Sequence, residues 1–184
     1  MATGAPGPHP VTQEDALHDL TTDAHTTTIT VVAECSLAPE RVLAATCDFS
    51  SERRPKIFPA VQKKYLVVHA LEQTWADVTE GTRAGPIVNW ERCRYDWSQP
   101  GSVIAIVTDS NVYAIPGSLW ELRAEPTDAG SRVEMIWTRG FNRRPKGRLF
   151  GFIFPRFGER LFGDYAREIV ANLEASETAV SQQG

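Results

Sequence analysis

The last part of the chain carries the strongest constraint. Leu149, Ile153, Phe157, Leu161, Tyr165, Ile169 and Leu173 recur at every fourth position. That spacing makes one stripe of a helix of more than about six turns, drifting slowly around its axis. Almost everything before it alternates in the manner of strands. A long closing helix after a run of strands buries its stripe only if the sheet curves around it. The pattern predicts an α+β domain, a curved antiparallel sheet of about six or seven strands wrapped on a C-terminal helix, with space for a ligand between them. Pro155 falls inside the stripe. Either the helix kinks there, or residues 147–154 form a separate turn and the long helix begins at Pro155.

Residues 1–26 hold Gly4, Pro6, Gly7, Pro8 and Pro10, then acidic and Thr-rich sequence. They read as a solvated tail in which Thr12-Gln13-Glu14-Asp15 caps at most one short helix. A single domain is expected over 27–175, with a second tail at 176–184. Ile29, Val31 and Ala33 alternate with Thr28, Thr30 and Val32, as a strand running to about Leu37 requires. Pro39 stands at the first position of a helix, where its missing N–H costs nothing. Ser50 or Ser51 caps a second short helix that Pro55 and Pro59 prevent from extending. Strands follow at 65–71, 75–83, 87–97, 102–110, 118–125 and 132–141. Gly85-Pro86, Gln99-Pro100-Gly101, Pro116-Gly117 and Asp128-Ala129-Gly130 turn the chain between them, the signature of an antiparallel meander.

Composition narrows the function classes. The formal net charge of −4 argues against a protein built to hold a nucleic-acid backbone. Cys35, Cys47 and Cys93 form no C-x-x-C pair and have no His at metal-ligand spacing, so they read as reduced thiols in a cytoplasmic protein. No apolar run approaches the ~18 residues of a membrane span, and no basic-then-apolar leader is present. Phosphate-cradling and dinucleotide-binding glycine loops, a nucleophile elbow and metal clusters are all missing from the sequence, so no cofactor is expected.

Ala38-Pro39-Glu40-Arg41-Val42, Glu80-Gly81-Thr82-Arg83, Trp90-Glu91-Arg92 through Tyr95-Asp96-Trp97, Trp120-Glu121-Leu122 with Pro126, and Gly130-Ser131-Arg132-Val133-Glu134 are the segments that carry a likeness. Together they resemble the START-like superfamily, in its polyketide cyclase/dehydrase and lipid-transport branch (the SRPBCC or Bet v 1-like helix-grip fold). The likeness spans about residues 27–175 and rests on pattern more than on a rigid motif. It implies a domain that binds lipids, sterols, hormones or polyketides, or catalyses aldol cyclisation or dehydration; fold alone does not choose among these.

Strand alternation then proposes a wall for the cavity. In 87–97 the less charged set is Ile87, Asn89, Glu91, Cys93, Tyr95 and Trp97, which we place inward. By the same test Trp120, Leu122 and Ala124, and Val133, Met135, Trp137 and Arg139, face the interior. Asn89, Trp97, Trp120, Met135, Trp137 and, from the helix, Phe157 are the expected ligand contacts. Glu91 is the candidate general base, a carboxylate desolvated among Tyr95, Trp97 and Trp137. Arg139 or Tyr95 would steady an enolate oxygen. The alternatives are that Glu91 and Arg139 form a structural ion pair, or that Glu91 faces solvent. His69 in its apolar strand reads as a packed or edge histidine, and the five tryptophans as core and cavity wall.

The expected function is therefore binding of a hydrophobic small molecule. An enzyme closing or dehydrating a polyketide, and a non-catalytic interaction module, are the alternatives. Arg143, Arg144, Lys146 and Arg148 crowd the start of the final helix, where the macrodipole disfavours cations. An acidic carrier protein or an anionic lipid is the partner such a turn would meet.

Overall fold

A computed structural model describes residues 25–84, 87–111, 114–141 and 145–181. Its strands are β1 (His25–Cys35), β2 (Val67–Leu71), β3 (Trp75–Ala84), β4 (Ile87–Asp96), β5 (Ser102–Ser110), β6 (Leu119–Thr127) and β7 (Gly130–Phe141). Between β1 and β2 come α1 (Pro39–Thr46), α2 (Arg54–Ile57) and a 3-10 turn (Lys63–Tyr65); α3 (Pro145–Ser181) closes the chain. The expected α+β architecture is present, a seven-stranded sheet and one long helix.

The sheet order is β1-β7-β6-β5-β4-β3-β2, with every pair antiparallel. The meander from β2 to β7 comes from consecutive turns, and β1 completes it by pairing with β7 over its whole length. A register shift between Arg92 and Cys93 interrupts the β4–β5 ladder. Such a bulge increases local twist and bend, which a sheet that must curve around a helix requires.

α1 begins with Pro39 after an extended Ala38 and buries Val42, Ala45 and Thr46. The Thr46 hydroxyl donates to the Val42 carbonyl at 2.8 Å, so the buried hydroxyl is satisfied. Val42, Ile57, Leu122, Met135, Ile169 and Leu173 are fully buried where the small helices, the sheet and α3 meet. Each contributes about 1.5–3 kcal/mol relative to exposure.

α3 runs without a break through Pro155, so residues 147–154 are part of it and not a separate turn. Gly158 is buried against Ile29, and a Cβ there would collide with the Ile29 side chain. The missing side chain is what lets the helix lie close to β1. The predicted four-residue stripe is buried at its end and exposed at its start. Ile169 and Leu173 are inaccessible, whereas Leu149, Phe157 and Leu161 are more than half exposed. At 3.6 residues per turn a four-residue step advances by roughly 40°, so Phe157 lies roughly 160° around from Leu173.

The ends differ from expectation as well. Most of the expected N-terminal tail, 1–24, lies outside the described residues, and β1 begins at His25. The expected tail at 176–184 is helical as far as Ser181. There Glu177 pairs with Arg41 at 2.6 Å and with Arg53. One turn earlier, Glu174 accepts bonds from the Ser36 backbone N–H and hydroxyl, both at 2.7 Å.

Candidate ligand cavity

Between the sheet and α3 lies a cavity of about 490 Å³. Its walls are mostly apolar because the inward residues of five strands meet the inner face of one helix. Trp120 and Trp137 are direct partners across β6 and β7. Trp137 packs on Phe162 of α3 with ring centroids 4.7 Å apart, and Phe58 meets Trp120 edge-on at 5.9 Å. Ala105 and Val107 of β5 leave room in the middle. Phe154, Leu161, Tyr165 and Ile169 complete the helix side.

Besides Thr82 and Asn89, two charged groups interrupt this wall. The first is Arg54, only 1% exposed although it is an arginine. Its Nε donates to Glu80 Oε1 at 2.5 Å, Nη1 to the Thr46 carbonyl at 2.6 Å and Nη2 to the Tyr95 hydroxyl at 2.9 Å. The Tyr95 hydroxyl in turn donates to Glu80 Oε2 at 2.6 Å. The Phe58 ring lies 3.8 Å from the guanidinium centre. Burial works most strongly against the charge on Arg54, but the Glu80 carboxylate together with Tyr95 and Tyr165 more than offsets it and holds the guanidinium above its usual value. Burial, and then the Glu80 charge, push the Tyr95 phenol well above its usual range, so it stays a neutral hydrogen-bond donor.

The second group is Glu91 with Arg139. Arg139 Nη1 reaches Glu91 Oε1 at 3.0 Å and Oε2 at 2.9 Å. Both side chains keep some solvent contact, 23% for Glu91 and 16% for Arg139. Cys93 lies on the same wall, and burial followed by the Glu91 and Glu80 charges drives its thiol well above the usual value. Burial of this kind keeps a thiol protonated.

Of the expected site residues, Asn89, Glu91, Tyr95, Trp120, Trp137 and Arg139 line the cavity. Of the opposite set (Val88, Trp90, Arg92, Arg94 and Asp96), Trp90 also borders the cavity, whereas Arg92 pairs with Asp77 and Arg94 lies over the Trp75 ring. Three expected contacts lie elsewhere. Trp97 follows the end of β4, where its Nε1 donates to the Gln73 carbonyl at 2.9 Å and its ring packs near Phe49. Met135 is 1% exposed and belongs to the packed core beneath the cavity. Phe157 is 57% exposed because of the drift of its stripe, and Leu161, Phe162 and Tyr165 line the wall instead.

Two expected roles change with the geometry. Glu91 meets a guanidinium as well as aromatic rings, the ion pair held open as an alternative. Tyr95 does not join Arg139; Glu80 and Arg54 occupy its hydroxyl. Arg54 and Glu80 are cavity residues the sequence reading did not single out. Glu80 was within reach, since it alternates with Ala76 and Val78, which are fully buried on the inward face. Arg54 carried no local signal. His69 sits exposed on edge strand β2, its Nε2 2.8 Å from Thr79 Oγ1. Arg143, Arg144 and the Lys146 side chain lie outside the described residues. Among the described residues no helix is long and apolar enough to cross a membrane.

No family model matches this sequence, and no curated protein matches it either. Solved structures do. A protein from Thermus thermophilus aligns at a TM-score of 0.65 and 13% identity, over 82% of this chain and 99% of that one. The Zhui aromatase/cyclase from a Streptomyces species aligns at 0.60 and 15%, over 82% and 94%. A START superfamily protein from Mycobacterium smegmatis aligns at 0.58 and 10%, over 84% and 98%. At such identities the likeness is one of architecture, and it agrees with the sheet order and the gripped helix: the chain has the START-like, Bet v 1-like helix-grip fold.

Proposed function

We propose that the chain binds a hydrophobic small molecule, of polyketide, lipid or isoprenoid type, in the cavity between the sheet and α3. The observation that carries this is the cavity of about 490 Å³ with aromatic walls and few polar groups, the usual make-up of a small-molecule site. Arg54, Glu80 and Tyr95 satisfy one another, so the Glu91–Arg139 pair is the group that orients a ligand carbonyl or hydroxyl. A module that only contacts other proteins would have a filled core. The free cysteines, two of them buried, fit a reducing compartment, and a cytoplasmic setting is part of the proposal.

Native mass spectrometry of the protein purified from its own source tests this reading by the mass of a co-purifying ligand. A polarity-sensitive apolar dye provides the second readout. Failure of the dye to bind at micromolar concentration, with no co-purifying mass, would sink it.

A second reading has its own observation. Glu91 and Arg139 place a carboxylate and a cation together on the cavity wall, and one structural neighbour is named an aromatase/cyclase. In a cyclisation, Glu91 would take the proton of an acidic C–H while the bonding pair moves onto the carbonyl oxygen, which Arg139 stabilises. The enolate carbon would then bond to a second carbonyl, whose oxygen regains the proton from Glu91. Under this reading Glu91→Gln abolishes turnover while folding and ligand affinity stay near parental. Unchanged turnover would remove Glu91 from the mechanism.

A further inference from the structure

The first half of α3 carries an apolar face that packs on nothing described. Leu149, Phe152, Phe157 and Leu161 are 55–58% exposed. At about 100° per residue, they and Ile153 spread over the outward half of the helix. Gly151, Phe154, Gly158 and Phe162 hold the inward half, where Phe154 meets Phe141 and Phe162 meets Trp137. Past residue 163 the outward positions become Asp164, Arg167, Glu168 and Ala171, an ordinary solvated surface. The apolar face is therefore confined to the helix segment beside the cavity. Leu161 belongs to both, exposed and lining, so it marks the mouth.

Cations accompany these side chains. Arg148, Arg156 and Arg160 are exposed on the same segment, and the Arg156 guanidinium lies 3.9 Å from the Phe152 ring centroid. Residues 145–163 contain four Lys or Arg against one Glu, whereas the whole chain has a net charge of −4. Apolar anchors interleaved with arginines are the composition of a helix that lies in a membrane interface. Each arginine stem reaches over apolar neighbours while its head stays in the polar layer.

We propose that this face docks on an anionic bilayer surface. A second copy of the chain fits poorly, because symmetric pairing would press cations against cations. A folded acidic protein would need pockets for its anchoring side chains, and the outward ridge of a helix offers Leu and Phe for shallow insertion instead. Docking would set the cavity mouth against the phase in which an apolar ligand resides; that delivery role rests on the proposed function, while the docking itself does not.

The test is co-flotation of the full chain, without ligand, on vesicles of phosphatidylcholine alone or mixed equally with phosphatidylglycerol. Retention is expected on the anionic vesicles only, and it should weaken as salt is raised. The double change Arg156→Gln with Arg160→Gln should lower the affinity about thirtyfold, two cations at about fivefold each. Phe152→Ser with Phe157→Ser should weaken it comparably. All four side chains are exposed, so a parental near-UV circular dichroism spectrum shows that the variants are folded. Equal retention on neutral vesicles, no retention on either, or parental affinity in both double variants would overturn the proposal. So would a parental dimer that Phe152→Ser with Phe157→Ser dissolves, or capture by an acidic carrier protein without any vesicle binding. Dye binding to the cavity, measured without vesicles, reports separately on the proposed function.

Discussion

Glu80 and Glu91 stand directly opposite each other on β3 and β4, and both face the cavity. Directly paired carboxylates repel, since opposed side chains begin only about 4.5–5.5 Å apart at Cβ. Each is answered from a different element: Arg54 of α2 holds Glu80, and Arg139 of β7 holds Glu91. The charged part of the cavity is thus two ion pairs side by side. One is closed by Tyr95 and the Thr46 carbonyl, and the other meets the open space.

Arg54 is accordingly a structural cation. Arg54→Met would leave Glu80 facing Glu91 with no countercharge, and should lower stability by about 3–5 kcal/mol. Adding Glu80→Gln to that variant should restore much of the loss, because the stranded charge is then gone. Urea unfolding of the two single variants and the double variant measures this. A loss below about 1 kcal/mol in Arg54→Met would mean the cluster does not hold α2 to the sheet.

Ala105 lines the cavity at the centre of β5, opposite Trp120. Ala105→Phe should project its ring into the open space, where it displaces ligand volume without cutting a backbone bond. Apolar dye affinity should drop at least about tenfold, while stability changes by less than about 2 kcal/mol, since the space being filled is already empty. Parental dye affinity would place the binding site elsewhere.

The sheet and its helix were legible because alternation, turn residues and the four-residue apolar spacing are local signals. The inward faces of β4, β6 and β7 followed from the same alternation, which is why Asn89, Glu91, Trp120, Trp137 and Arg139 all reach the cavity. Phe157 failed because a stripe at every fourth residue does not stay on one face over seven members. Met135 failed because alternation separates inside from outside but not wall from core. Arg54 was out of reach. Its sequence neighbours, Arg53 and Pro55, suggest a surface turn, and its burial depends on Thr46, Glu80 and Tyr95 arriving from three other places.

Gly130 makes a sharper stability prediction. It opens β7 with φ +145°, and a Cβ there would collide with the Cys35 carbonyl oxygen and the Ser36 backbone, neither of which can rotate away. Gly130→Ala combines backbone strain with a clash at the point where β1 ends against β7. A loss of about 2–4 kcal/mol is expected. Thermal unfolding checks it, and a parental midpoint would mean the turn relaxes without cost.

Glu174 and Glu177 fasten the second half of α3 to Ser36, Arg41 and Arg53, while the first half lies beside the cavity mouth. The Ser36 backbone N–H and hydroxyl hold the Glu174 carboxyl below its usual value of 4.5. A carboxyl lowered on folding stabilises the native state above its unfolded pKa, and that contribution fades as pH falls through the folded value. Glu174→Gln should therefore cost about 1 kcal/mol at neutral pH, allowing for partial exposure. The difference from the parent should shrink towards zero as the pH drops below 4.5. Urea midpoints across that range provide the check. A difference that stays constant with pH would show that the amide loses packing rather than charge. With this anchor weakened, hydrogen exchange in residues 165–181 should rise at neutral pH more than exchange in the strands, since the helix end would detach from β1 before the sheet opens.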